Sequence, residues 1–224
     1  MNSIGELTIA VPRGALFDDT AQLLSQLGLD VEELRSNDRR LLFDDIGVIT
    51  MRSSDVPTYV EAGAADLGVT GKDVLLEQAA QHPGEPGRDV YELLDLRYGR
   101  CVMVLASKAG PDPALEALRR LGVMRVATKY PRIAARHFEE TGRQAEIVEV
   151  KGSVELAPLT GMVEAIVDLT ATGTTLQENN LVVREEIAVC TARLIANPVS
   201  HKLKSAAIDE LLGRLRALPA AGVT

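Results

Sequence analysis

Tryptophan is absent from the 224 residues, and tyrosine and phenylalanine together make up only 3% of them. Few platforms therefore exist for stacking successive bases, as single-strand nucleic-acid binders require. Only two cysteines occur, Cys101 and Cys190, both in apolar, strand-like surroundings. A pair so far apart supplies neither a disulfide framework nor a metal-ligand spacing, and it reads as two buried thiols in a reducing compartment. No apolar run reaches the length of a membrane span, and the first residues, Met1 to Thr8, have neither the basic stretch nor the apolar core of a signal peptide. Positive charge is in deficit too, with 24 Lys and Arg against 32 Asp and Glu and a net charge of −8. That balance argues against a non-specific nucleic-acid surface, so a site for a polyanion must be a local basic pocket in an acidic protein. These absences together point to a cytoplasmic globular protein.

What is present is ordinary in bulk, at 46% hydrophobic and 25% charged residues, and long enough for one large or two small domains. Strand follows helix along the chain. Leu7 to Val11 is a strand run, followed by Pro12-Arg13-Gly14 and a helix with Ala21, Leu24 and Leu27 at helical spacing. Residues 29–45 read as irregular and charged. Val48 to Met51 is the next strand, ending on Arg52, and Ser53-Ser54-Asp55 caps a helix that accepts Pro57 in its first turn. Leu67 to Val69 is a short strand before the turn Thr70-Gly71-Lys72-Asp73. That turn is not a P-loop, because Asp73 stands where Ser or Thr is required. Residues 81–89 have the composition of an exposed loop, and further strands and helices alternate to residue 159. Near the end, Ile187 to Ala196 is strongly strand-like, Ser200 to Leu218 is an amphipathic helix, and the last six residues look frayed.

The chemistry concentrates at Glu164 to Leu176. Ala165, Ile166, Val167 and Leu169 form a buried strand with Asp168 near its end. Thr170, Ala171, Thr172, Gly173, Thr174 and Thr175 then offer four hydroxyls, a glycine and open backbone N–H groups, a combination that cradles a phosphate. Asp168 is placed to accept from sugar hydroxyls or to face a metal. The loop resembles the 5-phosphate loop of phosphoribosyltransferases. Arg13, Arg52 and Lys72 are further candidates, each at a strand-to-helix turn where an anion can be met. The three histidines, His82, His137 and His201, lie in no catalytic pattern.

Two segments echo each other 98 residues apart: a helix end, Gly63, Asp66 and a strand, then a helix end, Gly161, Glu164 and a strand. The echo suggests two similar α/β lobes, with a ligand cleft between their strand ends. The expected fold is therefore two-lobed α/β with mainly parallel sheets, like the type II periplasmic binding proteins. The expected division is residues 1–95 with 183–200 as a discontinuous first lobe, 96–182 as the second, and 201–224 as a C-terminal helix and tail.

Four segments carry a more specific resemblance. They are V-P-R-G-A-L at Val11 to Leu16, the long run from Arg52 to Asp73, the run from Glu155 to Leu176, and A-R-L-I-A-N-P at Ala192 to Pro198. With these the chain resembles the catalytic subunit of ATP phosphoribosyltransferase, the first enzyme of histidine biosynthesis, over nearly its full length. Two departures stand out: Arg13 where the family often has Lys, and Thr174 where relatives often have Arg. Only 27 residues follow Asn197, which suits the short form of the family. The resemblance implies ATP and phosphoribosyl pyrophosphate as substrates, with Mg²⁺ carried on their phosphates and no dedicated metal site in the protein. It also implies a regulatory subunit related to histidyl-tRNA synthetase, and thus a hetero-oligomer. On that basis Ala171 to Thr175, with Thr170, hold the 5-phosphate and Asp168 the ribose hydroxyls. Arg13, Arg52 and Lys72 meet the triphosphate or pyrophosphate, while Gly71, Asp73 and Ser53 make polar contacts. The alternative is a non-catalytic bilobed module that binds a small molecule.

Overall fold

The structure, a computed structural model, describes residues 4–79 and 90–218. The expected loop at 81–89, with His82, and the expected frayed end lie outside the described residues. In chain order the elements are β1 (Ile9–Arg13), α1 (Phe17–Gln26), α2 (Glu32–Ser36), β2 (Leu42–Phe43), β3 (Val48–Arg52), α3 (Val56–Glu61), β4 (Leu67–Gly71) and α4 (Lys72–Ala79). After the undescribed segment come β5 (Tyr91–Asp95), β6 (Cys101–Lys108), α5 (Pro113–Leu121), β7 (Met124–Thr128), α6 (Pro131–Glu140), β8 (Ala145–Glu149), α7 (Leu156–Leu159) and β9 (Ala165–Thr170). The chain ends with α8 (Thr174–Glu178), β10 (Leu181–Cys190), β11 (Ala192–Ala196), α9 (Pro198–Leu203) and α10 (Ser205–Ala217).

The chain forms two compact units, one from residues 1–75, 84–99 and 191–224, the other from 76–83 and 100–190. Each is built on a mixed sheet, ordered β2-β3-β1-β4-β11-β5 in the first and β10-β6-β9-β7-β8 in the second. The two sheets share a plan. In the first, β1 pairs in parallel with β3 and β4, and β11 runs antiparallel to β4. In the second, β7 pairs in parallel with β8 and β9, and β6 runs antiparallel to β9. The parallel strands are those joined through helices. Apart from β2, which pairs antiparallel with β3 inside the first unit, the antiparallel ones lie where the chain enters or leaves a unit.

The repeated Gly-acid segment is realised at equivalent places. After α3, Gly63 takes a φ of 76° and Ala64 N–H donates to Tyr59 O; after α7, Gly161 takes 77° and Met162 N–H donates to Ala157 O. Each acid then fixes the parallel neighbour of the strand that follows. Asp66 accepts from Thr8 N–H at 2.9 Å, just before β1, and Glu164 from Arg125 N–H at 2.7 Å, on β7.

Strand periodicity divides each core. On β9, Ala165 and Val167 join Met103, Met124 and Phe138 on one face, while Ile166 joins Val104, Ala127 and Leu181 on the other. Burial on both faces explains the unbroken apolar run, which an exposed strand would interrupt with polar residues. In the first unit, Ile9, Val11, Leu34, Phe43 and Leu67 pack with Ile208, Leu211 and Leu215 of α10.

Three boundaries differ from expectation. The run Ile187 to Ala196 is two strands: β10 stays paired with β6 down to Cys190↔Cys101, and β11 begins anew on β4 after Thr191. Residues 183–190 thus pair within the second unit, while α10 is part of the first unit's core and no separate appendage. The expected helix at 200–218 breaks at Lys204, whose Nζ turns to Asp66 Oδ2 at 2.8 Å and to Glu6 O. Residues 29–45, read as irregular, hold α2 and β2, anchored by the buried Leu34 and Phe43.

Candidate active site

The carboxyl end of β9 carries the densest chemistry of the second unit. Asp168 closes the buried run and is only 6% exposed. Its Oδ1 accepts the N–H of Leu169 at 2.8 Å, and Lys129 Nζ lies 4.0 Å away. Burial pushes the carboxyl above its ordinary pKa and the charge of Glu155 adds to this, against the Leu169 N–H and Lys129, which favour the ionised form. The polypeptide then turns outward. Gly173 N–H donates to Thr170 Oγ1 at 2.9 Å, and the hydroxyls of Thr172 and Thr174 bond at 2.8 Å. Gly173 has a φ of 80°, the left-handed region that a β-carbon penalises, and this conformation starts α8. Ala171, Thr172, Thr174 and Thr175 are exposed, while the N–H groups of Gly173 and Thr174 bond back to the hydroxyls of Thr170 and Thr172. All the second-unit residues singled out in the sequence are thus contiguous on one strand end.

In the first unit the candidates lie at the carboxyl ends of β1, β3 and β4. Arg13 and Arg52 are register partners on β1 and β3. Both line a depression of about 600 Å³, together with Leu42, Met51, Asp55 and Tyr59. Arg52 is exposed, whereas Arg13 is partly committed. The Arg13 guanidinium donates to Leu34 O at 3.2 Å and Asn37 O at 3.1 Å, and it lies 4.4 Å over the Phe17 ring. Ser53 ties two strand ends together: its carbonyl accepts from the Thr70 hydroxyl at 2.9 Å, and its Oγ accepts from Gly71 N–H at 3.4 Å. A β-carbon on Gly71 would meet the Asp73 carboxylate at 2.1 Å, so a larger residue there requires that carboxylate to move. Lys72 stands apart from the depression. Its Nζ donates to Glu92 Oε2 at 2.6 Å, and Arg193 holds the other carboxylate oxygen of Glu92 at 3.2 Å. A second cleft of about 330 Å³, lined by Asp19, Arg97, Tyr98 and Leu215 among others, contains none of the predicted residues.

Lys129 and Glu155 were not singled out in the sequence. Neither lies in a Gly- or Thr-rich turn, and their nearness to Asp168 arises from the pairing of β7 with β9 and the return of the chain through α7. Among the described residues no group of three or more His, Cys, Asp and Glu side chains could hold a metal ion, and no helix is long and apolar enough to cross a membrane.

The model of the family described as ATP phosphoribosyltransferase matches residues 52–217. The ATP phosphoribosyltransferase of Rubrobacter xylanophilus is 54% identical over 209 residues, covering 92% of this chain and 93% of that one. The chain belongs to the ATP phosphoribosyltransferase family. Its Bacillus licheniformis relative is 44% identical over 94% of both chains. Among solved structures, the ATP phosphoribosyl transferase (HisG:HisZ) complex from Thermotoga maritima contains a chain that is 34% identical, with a TM-score of 0.76, covering 94% of this chain and 96% of that one. The periplasmic aliphatic sulphonate binding protein from Escherichia coli matches with a TM-score of 0.58 at 14% identity, over 93% of this chain and 70% of its own. That likeness concerns the fold, which is the two-lobed α/β type of the periplasmic binding proteins. It lends nothing to a non-catalytic binding role for a member of the ATP phosphoribosyltransferase family.

Proposed function

We propose that the chain joins N1 of the ATP adenine to C1 of phosphoribosyl pyrophosphate, releasing pyrophosphate, as the first step of histidine biosynthesis. The observation that carries this reading is the end of β9, where a buried aspartate is followed at once by the threonine-rich turn, in a chain of this family. Breaking the bond at an anomeric carbon passes through an oxocarbenium-like state, as in glycoside chemistry. The enzyme must hold the sugar, hold the departing polyanion and exclude misaligned encounters. A nucleophilic side chain is not required.

The roles follow from the residue chemistry. The Thr170 to Thr175 turn takes the 5-phosphate through hydroxyls and N–H groups. Asp168 accepts from the ribose hydroxyls, and its negative charge favours the positive charge that develops on the ring. Arg52 and Lys72 are assigned to the triphosphate or pyrophosphate, with Lys72 exchanging its Glu92 partner for substrate. Arg13 acts partly by fixing the chain at Leu34 and Asn37, so its contribution to the same anion comes with a structural one. Ser53, Gly71 and Asp73 shape the turn beside them. Mg²⁺ arrives on the substrate phosphates and lowers their charge.

The reading extends to a partner and a compartment. The chain works in the cytoplasm as the catalytic subunit of a hetero-oligomer with a regulatory subunit related to histidyl-tRNA synthetase. Support comes from the Thermotoga maritima complex, whose matched chain has this chain's compass. Pyrophosphate release is measured with each substrate omitted in turn, with and without the regulatory subunit. Release that needs both substrates and rises with the subunit is the expected result. Release from neither mixture, by folded protein in a verified complex, contradicts it.

A further inference from the structure

The phosphate-type turn of the second unit has no positive charge of its own. From Thr170 to Thr175 every side chain is a hydroxyl, a methyl or hydrogen. A phosphate dianion held by dipoles alone lacks a charged partner, and charge-assisted contacts are roughly twice as strong as neutral ones. Any cation for that phosphate must come from the neighbouring elements. Arg125 lies toward the other end of β7 and β9 and is bound by Glu164 at 2.6 Å. Arg132, on α6, faces Glu77 at 3.7 Å. Lys129 is different. It follows the last residue of β7, the parallel neighbour of β9, and its side chain is 41% exposed. Among the described residues its ammonium makes no hydrogen bond; it faces Asp168 Oδ1 at 4.0 Å, outside hydrogen-bond reach.

Asp168 is equally incomplete. A buried carboxylate is costly unless it is well paired, yet this one has a single N–H bond and a loosely placed cation. Glu155 repels it further. Two unsaturated groups of opposite charge thus stand at adjacent strand ends, one able to accept from hydroxyls and one able to donate to an anion.

We propose that Lys129 is the substrate-facing cation of the second unit. It balances Asp168 before substrate binds, and it passes to a phosphate oxygen of phosphoribosyl pyrophosphate when the ribose hydroxyls satisfy Asp168. This assignment rests on the phosphoribosyl-transfer reading and supplies the charge that the turn lacks.

The test compares Lys129→Gln and Lys129→Arg in the complex with the regulatory subunit, with both Michaelis constants and kcat measured. Loss of a charge-assisted contact raises the KM for phosphoribosyl pyrophosphate about tenfold or more in K129Q, while the KM for ATP stays within about twofold. K129R, which keeps the charge, returns most of that loss; a purely structural role would give no such rescue selective for one substrate. A K129Q enzyme whose KM for phosphoribosyl pyrophosphate matches the wild type overturns the assignment alone. Wild-type enzyme that releases no pyrophosphate from the two substrates overturns the transferase reading, and the assignment with it.

Discussion

Under the proposed reading, Asp168 is where folding and catalysis make opposite demands. Burial raises its folded-state pKa above the unfolded value. The ionised group therefore costs stability at pH values above both, and the cost disappears below the unfolded value. Asp168→Asn removes that cost, so the variant is expected to melt at a higher temperature than the wild type near neutral pH. The same change should lower kcat/KM for phosphoribosyl pyrophosphate by about 10- to 100-fold, as a hydrogen bond to a charged group is lost. The acid limb of the wild-type kcat/KM profile is expected above the ordinary aspartate range of about 3.9. A variant that is less stable and fully active contradicts this. Arg13 makes a second residue-scale case. Lys keeps the charge but not the planar fork that serves Leu34 and Asn37 and lies over Phe17. Arg13→Lys is expected to lose about 1–2 kcal/mol of stability in urea unfolding, in excess of any change in KM. Unchanged stability with a raised KM would make Arg13 a substrate cation alone.

At the scale of elements, the turn after β9 depends on one backbone conformation. No atom lies within 4 Å of a β-carbon placed on Gly173, but the φ of 80° disfavours one. Gly173→Ala is expected to cost about 1–2 kcal/mol through strain alone, and to raise the KM for phosphoribosyl pyrophosphate by disordering the N–H groups next to it. Equal KM values in the two proteins would remove the turn from the substrate site. This turn was legible in the sequence because its chemistry is contiguous and its residues are few in kind. The strands β1, β3 and β4 were legible for the same local reason, as apolar runs bounded by Gly, Pro or charge. The elements α2 and β2 were not, since Leu34 and Phe43 hold them through contacts with residues distant in sequence. The division between β10 and β11 was hidden in one β-rich run, because only pairing with β6 or with β4 tells the halves apart. Lys129 was invisible for a related reason: its meaning comes from the parallel pairing of β7 with β9, which no motif records.

At the scale of the whole molecule, the same acid-to-neighbouring-strand bond is used in both units. Burial pushes Asp66 up, but Lys204, Ser200 and the Thr8 N–H outweigh it and hold the carboxyl below its ordinary range. Glu164 is held low in the same way, its burial outweighed by the side chain and N–H of Arg125. For both groups the folded pKa lies below the unfolded one. Their contribution is present above the ordinary carboxylate range and is lost as the pH falls through the depressed values. Urea midpoints are therefore expected to drop between about pH 6 and about pH 3, and Glu164→Gln should make the drop shallower. An identical pH dependence in the two proteins contradicts a role for this bond in acid stability.

The central claim is a covalent one, that ribose 5-phosphate is transferred to the adenine of ATP. Mass analysis of the reaction mixture tests it most directly. ATP, phosphoribosyl pyrophosphate and Mg²⁺ are incubated with the catalytic chain and its regulatory subunit, and the nucleotides and pyrophosphate are quantified. The account predicts a new nucleotide with the mass of ATP plus one phosphoribosyl group, formed in equal amount with pyrophosphate and strongly reduced in Asp168→Asn. Pyrophosphate appearing without that nucleotide, or a nucleotide yield untouched by the aspartate change, would contradict it.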